Sequence, residues 1–372
     1  MIKNYAYCIL GAGLAGLSLA KSLKKVSNCS ILIIDPNGIA GGASGSPIGL
    51  VNPATGRYAN QTWNAEVAVE TVKSNLEEIS ASTTKKFFKK TGIIRPAMDQ
   101  KIARRMQENL ESTDWPKNWV RWLSVNELEN KFPKLENTDG GLWVKEGFTV
   151  AIPNYLTALA DFLKEKDVDI IEHKSFELNK PDSSPDEFQN WSISFSDEST
   201  TIKAKNLIVT AGIKTKDFDF LKDLPLIPVK GQVSVYECED EFPYDAAVSA
   251  LGYFATLDGK TFVAGSTYEH KFEYEEPDDF GVEYISNRLL KVMPHLKGRI
   301  KLIDQWSGIR ASTPDRMPIV GHHPDIRNCF VFAGLGSKGL LYSGFLSNII
   351  SLYFKNQGLI PDEVSIDRFS KG

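Results

Sequence analysis

An apolar run near the start of the chain, Tyr7-Cys8-Ile9-Leu10, gives way at once to Gly11-Ala12-Gly13-Leu14-Ala15-Gly16. Leu17, Leu19, Ala20 and Leu23 then recur at helical spacing, and a second apolar run, Ile31-Leu32-Ile33-Ile34, ends on Asp35. Short unbroken apolar runs read as buried strands, and a 3.6-residue period reads as a helix packed on one face. The pattern therefore predicts a strand–helix–strand unit. Trp63, Val67, Val69, Val72, Leu76 and Ile79 predict a helix within 63–90, and a short helix is expected over 125–131, stopped by Pro133. Tyr155, Leu156, Leu159, Phe162 and Leu163 mark the buried side of a helix over 153–164, with a strand at 168–171 behind it. Segments 191–195 and 201–203 suggest a β-meander, and 182–186 an exposed turn between strands.

A further strand over 204–212 ends in the small residues Thr210, Ala211 and Gly212. Between 226 and 280 the pattern alternates, with strands expected at 232–236, 252–256 and 261–265, as in an antiparallel sheet. A helix over 282–293 follows, then a strand at 329–334 that enters a glycine-broken helix over 340–355. Residues 115–122 form an aromatic-rich excursion. The fold expected is α/β: a Rossmann-type dinucleotide domain with an inserted, mostly antiparallel substrate domain. Its dinucleotide part would comprise 1–85, 149–222 and 309–372, and its inserted part 86–148 and 223–308.

The first unit carries a chemical expectation. Gly11 permits the tight turn, Gly13 lets backbone approach a pyrophosphate, and Gly16 lets the helix sit close on the strand. Unpaired N–H groups at the helix start, around Leu14 and Ala15, suit phosphates. Asp35, followed by Pro36, is placed to accept hydrogen bonds from a ribose. An anionic acid there disfavours a 2′-phosphate, so the nucleotide is expected to be FAD or NAD rather than NADP.

Composition narrows the picture little. The chain has 372 residues and a formal charge of −4, so it has no global basic signature for nucleic acid. Two local basic runs, Lys85, Lys86, Lys89 and Lys90, then Lys101, Arg104 and Arg105, read first as solvated helix faces. The four cysteines (Cys8, Cys29, Cys238, Cys329) are widely spaced, and the five histidines form no metal-ligand pattern, so no metal site is expected. No signal-peptide pattern or long apolar span is seen, and a reduced cytoplasmic protein is expected.

Several separated segments agree with one family. They are Gly11 to Gly16 with Asp35; the loop Gly41-Gly42-Ala43-Ser44-Gly45; Thr210-Ala211-Gly212; and Gly334-Leu335-Gly336-Ser337-Lys338-Gly339-Leu340. Trp306-Ser307-Gly308-Ile309-Arg310 and Ser312-Thr313-Pro314-Asp315-Arg316-Met317-Pro318 belong with them. Across nearly its whole length the chain resembles the D-amino-acid oxidase superfamily of flavoproteins, which includes glycine oxidase and sarcosine oxidase. The resemblance implies FAD. It implies that the 334–339 turn faces the flavin ring, with Lys338 adding a cation near it, and that Arg310 grips a substrate carboxylate. Local pairing with Asp304 is the ordinary alternative for Arg310. Tyr253 would lie over the substrate, with Tyr268 a weaker candidate of the same kind. Some sarcosine oxidase relatives tether the flavin through a cysteine just before Thr313-Pro314-Asp315. Residues 307–312 contain none, so noncovalent FAD is expected.

The strings Val229-Lys230-Gly231-Gln232-Val233-Ser234, Gly252-Tyr253 and Gly265-Ser266-Thr267-Tyr268 are most similar to the oxidase half of a bifunctional tRNA wobble-uridine modification enzyme. That half cleaves the C–N bond of carboxymethylaminomethyl-uridine, an N-substituted glycine. The family enzyme also has a methyltransferase domain ahead of its oxidase; this chain starts on the FAD strand, so none is expected here. Three readings stay open. The chain oxidises a small glycine- or sarcosine-like amine and passes electrons to oxygen or another acceptor; it is a stand-alone tRNA oxidase; or it is a partner-dependent or structural flavoprotein subunit.

Overall fold

The computed structural model describes residues 2–179, 190–196 and 201–369. The turn expected at 182–186 lies outside the described residues. The central sheet places Ile2–Leu10 between Ile31–Asp35 and Thr201–Val209, all parallel, with Val168–Glu172 parallel beyond Ile31–Asp35. Thr201–Val209 branches on its far side. Its first half pairs antiparallel with Trp191–Ser194, and its last three residues pair parallel with Cys329–Ala333.

Alternation explains why the apolar runs are unbroken. Ile9, Ile31, Ile33, Ile208 and Phe330 face one core, shared with helices Leu14–Val26, Ile152–Lys164 and Gly339–Phe354. Cys8, Leu10, Leu32, Ile34 and Val209 face another, built around Trp191, Phe195 and Leu221. Strands covered on both faces lose the polar half of their pattern.

A second sheet stands against the first. From one edge to the other it runs Ile300–Ser312, Ile227–Cys238, Thr261–Gly265, Tyr253–Thr256, Ala247–Val248, Ile93–Pro96, Gly141–Val144 and Val120–Leu123. Six of its eight strands have antiparallel neighbours only; Ala247–Val248 and Ile93–Pro96 pair parallel with each other and antiparallel on their other side. One face covers Gln100–Ser112 and the loop around Ala54, while the other is covered by Asp279–Val292.

The structure corrects parts of the sequence reading. The helix expected within 63–90 stops at Ala81, where the Ser82 hydroxyl donates to the Ile79 carbonyl at 2.8 Å. Beyond it the chain extends, Phe88–Lys89 pairs with Phe148–Val150, and Phe87 is fully buried. The lysines at 85–90 are therefore not on a helix face. Strand Ile93–Pro96 was not anticipated, whereas the run Lys101, Arg104 and Arg105 does lie on a helix, Gln100–Ser112, which Asp99 caps, accepting from Ile102 N–H at 2.7 Å. The 115–122 excursion is packed: Trp119 is buried and Trp122 lies in the edge strand Val120–Leu123.

Helices Leu14–Val26 and Gly339–Phe354 share one core, in which Leu346 is fully buried. Leu346→Ala should lower unfolding stability by about 2–5 kcal/mol, the usual cost of a large-to-small core change. Urea unfolding followed by circular dichroism measures it; a change under 1 kcal/mol, on the order of a surface substitution, would contradict this packing.

Candidate active site

The glycine fingerprint folds because each position lacks room for a side chain. Gly11 has φ +116°, and a Cβ on Gly16 would lie 1.9 Å from the Gly11 carbonyl. Thr210 stands behind this turn, its hydroxyl within 2.9 Å of the Leu10 carbonyl and 3.0 Å of the Gly11 carbonyl. Asp35 reaches back to the loop: Oδ2 accepts from Ala12 N–H at 2.8 Å and Oδ1 from Asn37 N–H at 2.9 Å. Pro36 lies exposed in the turn that follows. His173, at the end of the next strand, donates its N–H to the Asp35 carbonyl at 3.1 Å.

The other glycine loops gather around this turn. Ser44 Oγ accepts from Leu14 N–H at 3.1 Å, so Ala43–Gly45 closes over the helix start. A Cβ on Gly339 would lie 3.0 Å from Leu14 Cδ1, so the first turns of Leu14–Val26 and Gly339–Phe354 adjoin. Neither helix has an acid in its first turn. Two positive helix ends thus adjoin with no acid in either first turn, Asp35 standing on the loop just ahead of one of them. Above Gly42 and Gly212 a Cβ would meet nothing within 4 Å, and above Gly336 only Ser312 Oγ at 3.9 Å. A cradle of backbone donors with open space over its glycines fits an anionic dinucleotide. Leu335 is half-buried in the helical core and Ala211 in the opposite one, so their side chains face inward.

Arg310 sits on the strand Ile300–Ser312, whose neighbour is Ile227–Cys238. Cross-strand partners share a face, so Arg310 lies on the same side as Val229, Gly231, Gly308, Val233 and Trp306. Its guanidinium lies across Gly231, where a Cβ would be 2.1 Å from Nη2. Nη2 donates to Ser266 Oγ at 2.8 Å and Nη1 to the Thr267 carbonyl at 3.3 Å, and Cζ lies 4.9 Å from the Tyr268 ring centroid. Among the described residues no carboxylate pairs with it. Asp304 instead accepts from the Gln305 N–H. Burial pulls the Arg310 pKa below the usual arginine value, opposed in part by Tyr268, Tyr253 and Glu269. A guanidinium with unused donors in a partly buried cleft has the chemistry to receive a carboxylate.

The remaining candidates divide. Tyr268, about half exposed, brings Arg310 to the last glycine loop, its hydroxyl 3.5 Å from Ser337 Oγ. Tyr253 donates to the Ile48 carbonyl at 2.7 Å, and burial pushes its pKa up to about 12. It is therefore a neutral hydrogen-bonding wall. Lys338 turns its ammonium toward the Arg316 carbonyl (3.4 Å) and the Tyr342 ring (5.6 Å); burial and Arg316 lower its pKa. It faces the 313–317 turn, not Arg310.

Two residues at the cleft were not singled out from the sequence. Trp306 packs on both Gly45 and Gly308, and Gly308 itself approaches Ala43, which seats the strand on the nucleotide loop. Gly231 makes room for Arg310. The alternation of Lys230-Gly231-Gln232 was visible, but the residue lying across the glycine was not. The basic runs are partly neutralised: Lys89 pairs with Asp245, Lys90 with Glu146, and Arg104 and Arg105 with Glu108. Cys8, Cys29 and Cys238 are free thiols. Among the described residues no cluster of His, Cys, Asp or Glu could hold a metal ion, and no helix is long and apolar enough to cross a membrane.

Comparisons with known proteins bear on the family and the fold. A family model described as DAO, FAD dependent oxidoreductase, matches residues 6–351. The tRNA 5-methylaminomethyl-2-thiouridine biosynthesis bifunctional protein MnmC of Leptospira interrogans is 23% identical, over 98% of this chain and 59% of its own length. The chain thus spans little more than half of that relative. Among solved structures, glycine oxidase from Geobacillus kaustophilus matches with a TM-score of 0.84 at 20% identity, covering 97% of each chain. Iminodiacetate oxidase from Chelativorans sp. BNC1 matches with a TM-score of 0.81 at 21% identity, covering 98% of each chain.

Gly231→Ala should push the guanidinium aside and weaken binding of small carboxylates about tenfold or more, on the order of 1.4 kcal/mol, while nucleotide content stays the same. Equilibrium titration checks it, and undiminished carboxylate binding would remove the steric argument. A second expectation concerns acid. Asp278 has its carboxyl held at about 2, below the ordinary 3.8, by the Lys230 ammonium, with Gln232 and Gly281 N–H adding to it. A carboxyl lowered on folding stabilises the fold above about pH 4 and loses that contribution as pH falls toward about 2. Melting temperature between pH 5 and 2 should fall less steeply in Asp278→Asn than in the wild type.

Proposed function

The chain belongs to the DAO family of FAD-dependent oxidoreductases, and within it we propose that it oxidises the C–N bond of a small glycine-like or secondary amine bearing a carboxylate. The observation that carries this reading is Arg310, a partly buried cation with unused donors and no acid partner among the described residues. The names of its structural neighbours support the same substrate chemistry, since glycine and iminodiacetate are both carboxymethyl amines.

The backbone around Gly11, Gly13, Gly16, Gly42, Ala43, Ser44, Gly45, Gly336 and Gly339 would hold FAD, with Asp35 on its ribose side. When bound, FAD supplies the two-electron acceptor for a hydride from the carbon beside the amine, and hydrolysis of the resulting imine completes C–N cleavage. Arg310 fixes the carboxylate end and so sets which carbon is presented. The rings of Tyr253 and Trp306 exclude water from the cleft. Desolvation lowers the pKa of the amine and favours its neutral, reactive form. The Gly339–Phe354 N-terminus offers positive potential where negative charge grows.

A second reading has its own support: the relative whose similarity runs along almost the whole chain is named for tRNA modification. A carboxymethylamino group on a nucleoside would present the same carboxylate to Arg310. Against it stand the basic side chains already paired with acids, since RNA binding depends on free Lys and Arg.

Anaerobic mixing with glycine, sarcosine, D-alanine, D-proline and tRNA carrying carboxymethylaminomethyl-uridine tests both. Bleaching of the flavin by a free amino acid is expected. Bleaching by the tRNA alone would move the assignment to RNA, and no bleaching would point to a flavin that serves a partner or the fold. Arg310→Ala should retain FAD but lose about 2–5 kcal/mol of carboxylate-substrate binding, measured as apparent affinity in the same assay. Unchanged affinity would overturn the role of Arg310.

A further inference from the structure

We propose that Gln232, together with Lys230, Thr267 and Asp278, is a positioning device for the Arg310 clamp. It holds residues 266–269 so that the guanidinium keeps its unused donors turned to a ligand. The proposal rests on the reading of Arg310 as the carboxylate binder.

Residues 266–269 are two-faced. Ser266 and Tyr268 meet Arg310, through Ser266 Oγ at 2.8 Å and the Tyr268 ring at 4.9 Å. Thr267 and Glu269 point the other way, onto Gln232. Backbone bonds tie the segment to the strand: Thr267 N–H donates to the Gln232 carbonyl at 3.2 Å, and Lys230 and Glu269 exchange N–H donors at 3.0 Å each. Gln232 N–H donates to Thr267 Oγ1 at 2.9 Å. The Thr267 hydroxyl in turn donates to the Glu269 carboxylate.

The Gln232 amide completes the set. Nε2 donates to Glu269 Oε1 at 3.0 Å and to Asp278 Oδ1 at 2.9 Å, and Oε1 accepts from Asp278 N–H at 2.9 Å. Lys230, only 1% exposed, pairs with Asp278 at 2.8 Å. Every polar atom of the Gln232 side chain is engaged, and that side chain is 2% exposed. Buried networks of this kind fix one geometry, because a half-satisfied arrangement is costly. Charge placement adds a second effect. Glu269 lies near enough to Arg310 to favour its charged form, yet spends its carboxylate on Gln232 and Thr267. The guanidinium is thus balanced from a distance without its donors being occupied.

The experiment uses the FAD-loaded protein and two probes, methoxyacetate and its neutral analogue methoxyacetamide, each titrated against the flavin spectrum. Gln232→Leu should weaken methoxyacetate at least tenfold and leave methoxyacetamide within twofold. Thr267→Val, which removes only the hydroxyl, should do the same, and Thr267→Ser should restore wild-type binding. Equal loss for both probes would mark Gln232 as merely structural and overturn the proposal, as would wild-type methoxyacetate binding in both Gln232→Leu and Thr267→Val. If the wild type binds both probes equally, the reading of Arg310 fails and the positioning role fails with it.

Discussion

One antiparallel ladder, Ile227–Cys238 against Ile300–Ser312, sets the geometry on which the cleft depends. Its two-residue period sorts the side chains at the cleft. Gly231, Gly308, Trp306 and Arg310 fall on the side of the nucleotide loop; Lys230, Gln232 and Ser307 fall on the other. A slip of one residue would send Arg310 to the wrong face and put Ile309 or Ala311 where the guanidinium belongs. The register does break, between Val235 and Tyr236, but beyond the cleft. Up to that point each strand is read in step with its neighbour.

The cleft joins two kinds of recognition. In the proposed reading, backbone does the binding on the nucleotide side and side chains mainly stay out of the way. Glycines leave space, Thr210 braces the turn from behind, and two helix ends bring positive potential. On the substrate side a single charged side chain dominates, and its surroundings supply a hydroxyl, a carbonyl and an aromatic face rather than an anion. A partly buried cation without a contact anion is a costly arrangement to maintain. Such cost persists where a site needs an unsatisfied group.

Much of this was legible in the sequence because it depends on short-range rules. The strand, Gly11 to Gly16 and the helix that follows are adjacent in the chain, and the end of Ile31–Asp35 comes soon after. Arg310, Tyr253 and Tyr268 could be named because their flanking strings match a family. What pairs with what was not legible. Lys338 sits beside the last glycine loop yet turns toward Arg316, a choice made by packing. Strand Ile93–Pro96 was hidden because its four residues, all buried, include Arg95 and Pro96. A buried arginine reads as a surface residue until the carbonyls that satisfy it, Ala54 at 2.5 Å and Gly56, are brought beside it from 40 residues away by the fold. The overrun of the 63–90 helix has a local cause: the Ser-Thr-Thr step after Ala81 ends it, and a lysine-rich stretch without an apolar stripe cannot resume it.

The adjoining of Leu14 and Gly339 has a consequence for how the molecule is made. During synthesis the helix whose first turn adjoins the glycine fingerprint leaves the ribosome more than 300 residues after it. Contacts of such separation form late, after most loop-closure entropy has been paid. The proposed nucleotide cradle is therefore incomplete in any nascent intermediate that lacks Gly339–Phe354, however well its first strand–helix–strand unit has folded. If these loops hold the flavin as proposed, cofactor uptake becomes a report on completion: a chain that retains its flavin has already brought these two distant segments together.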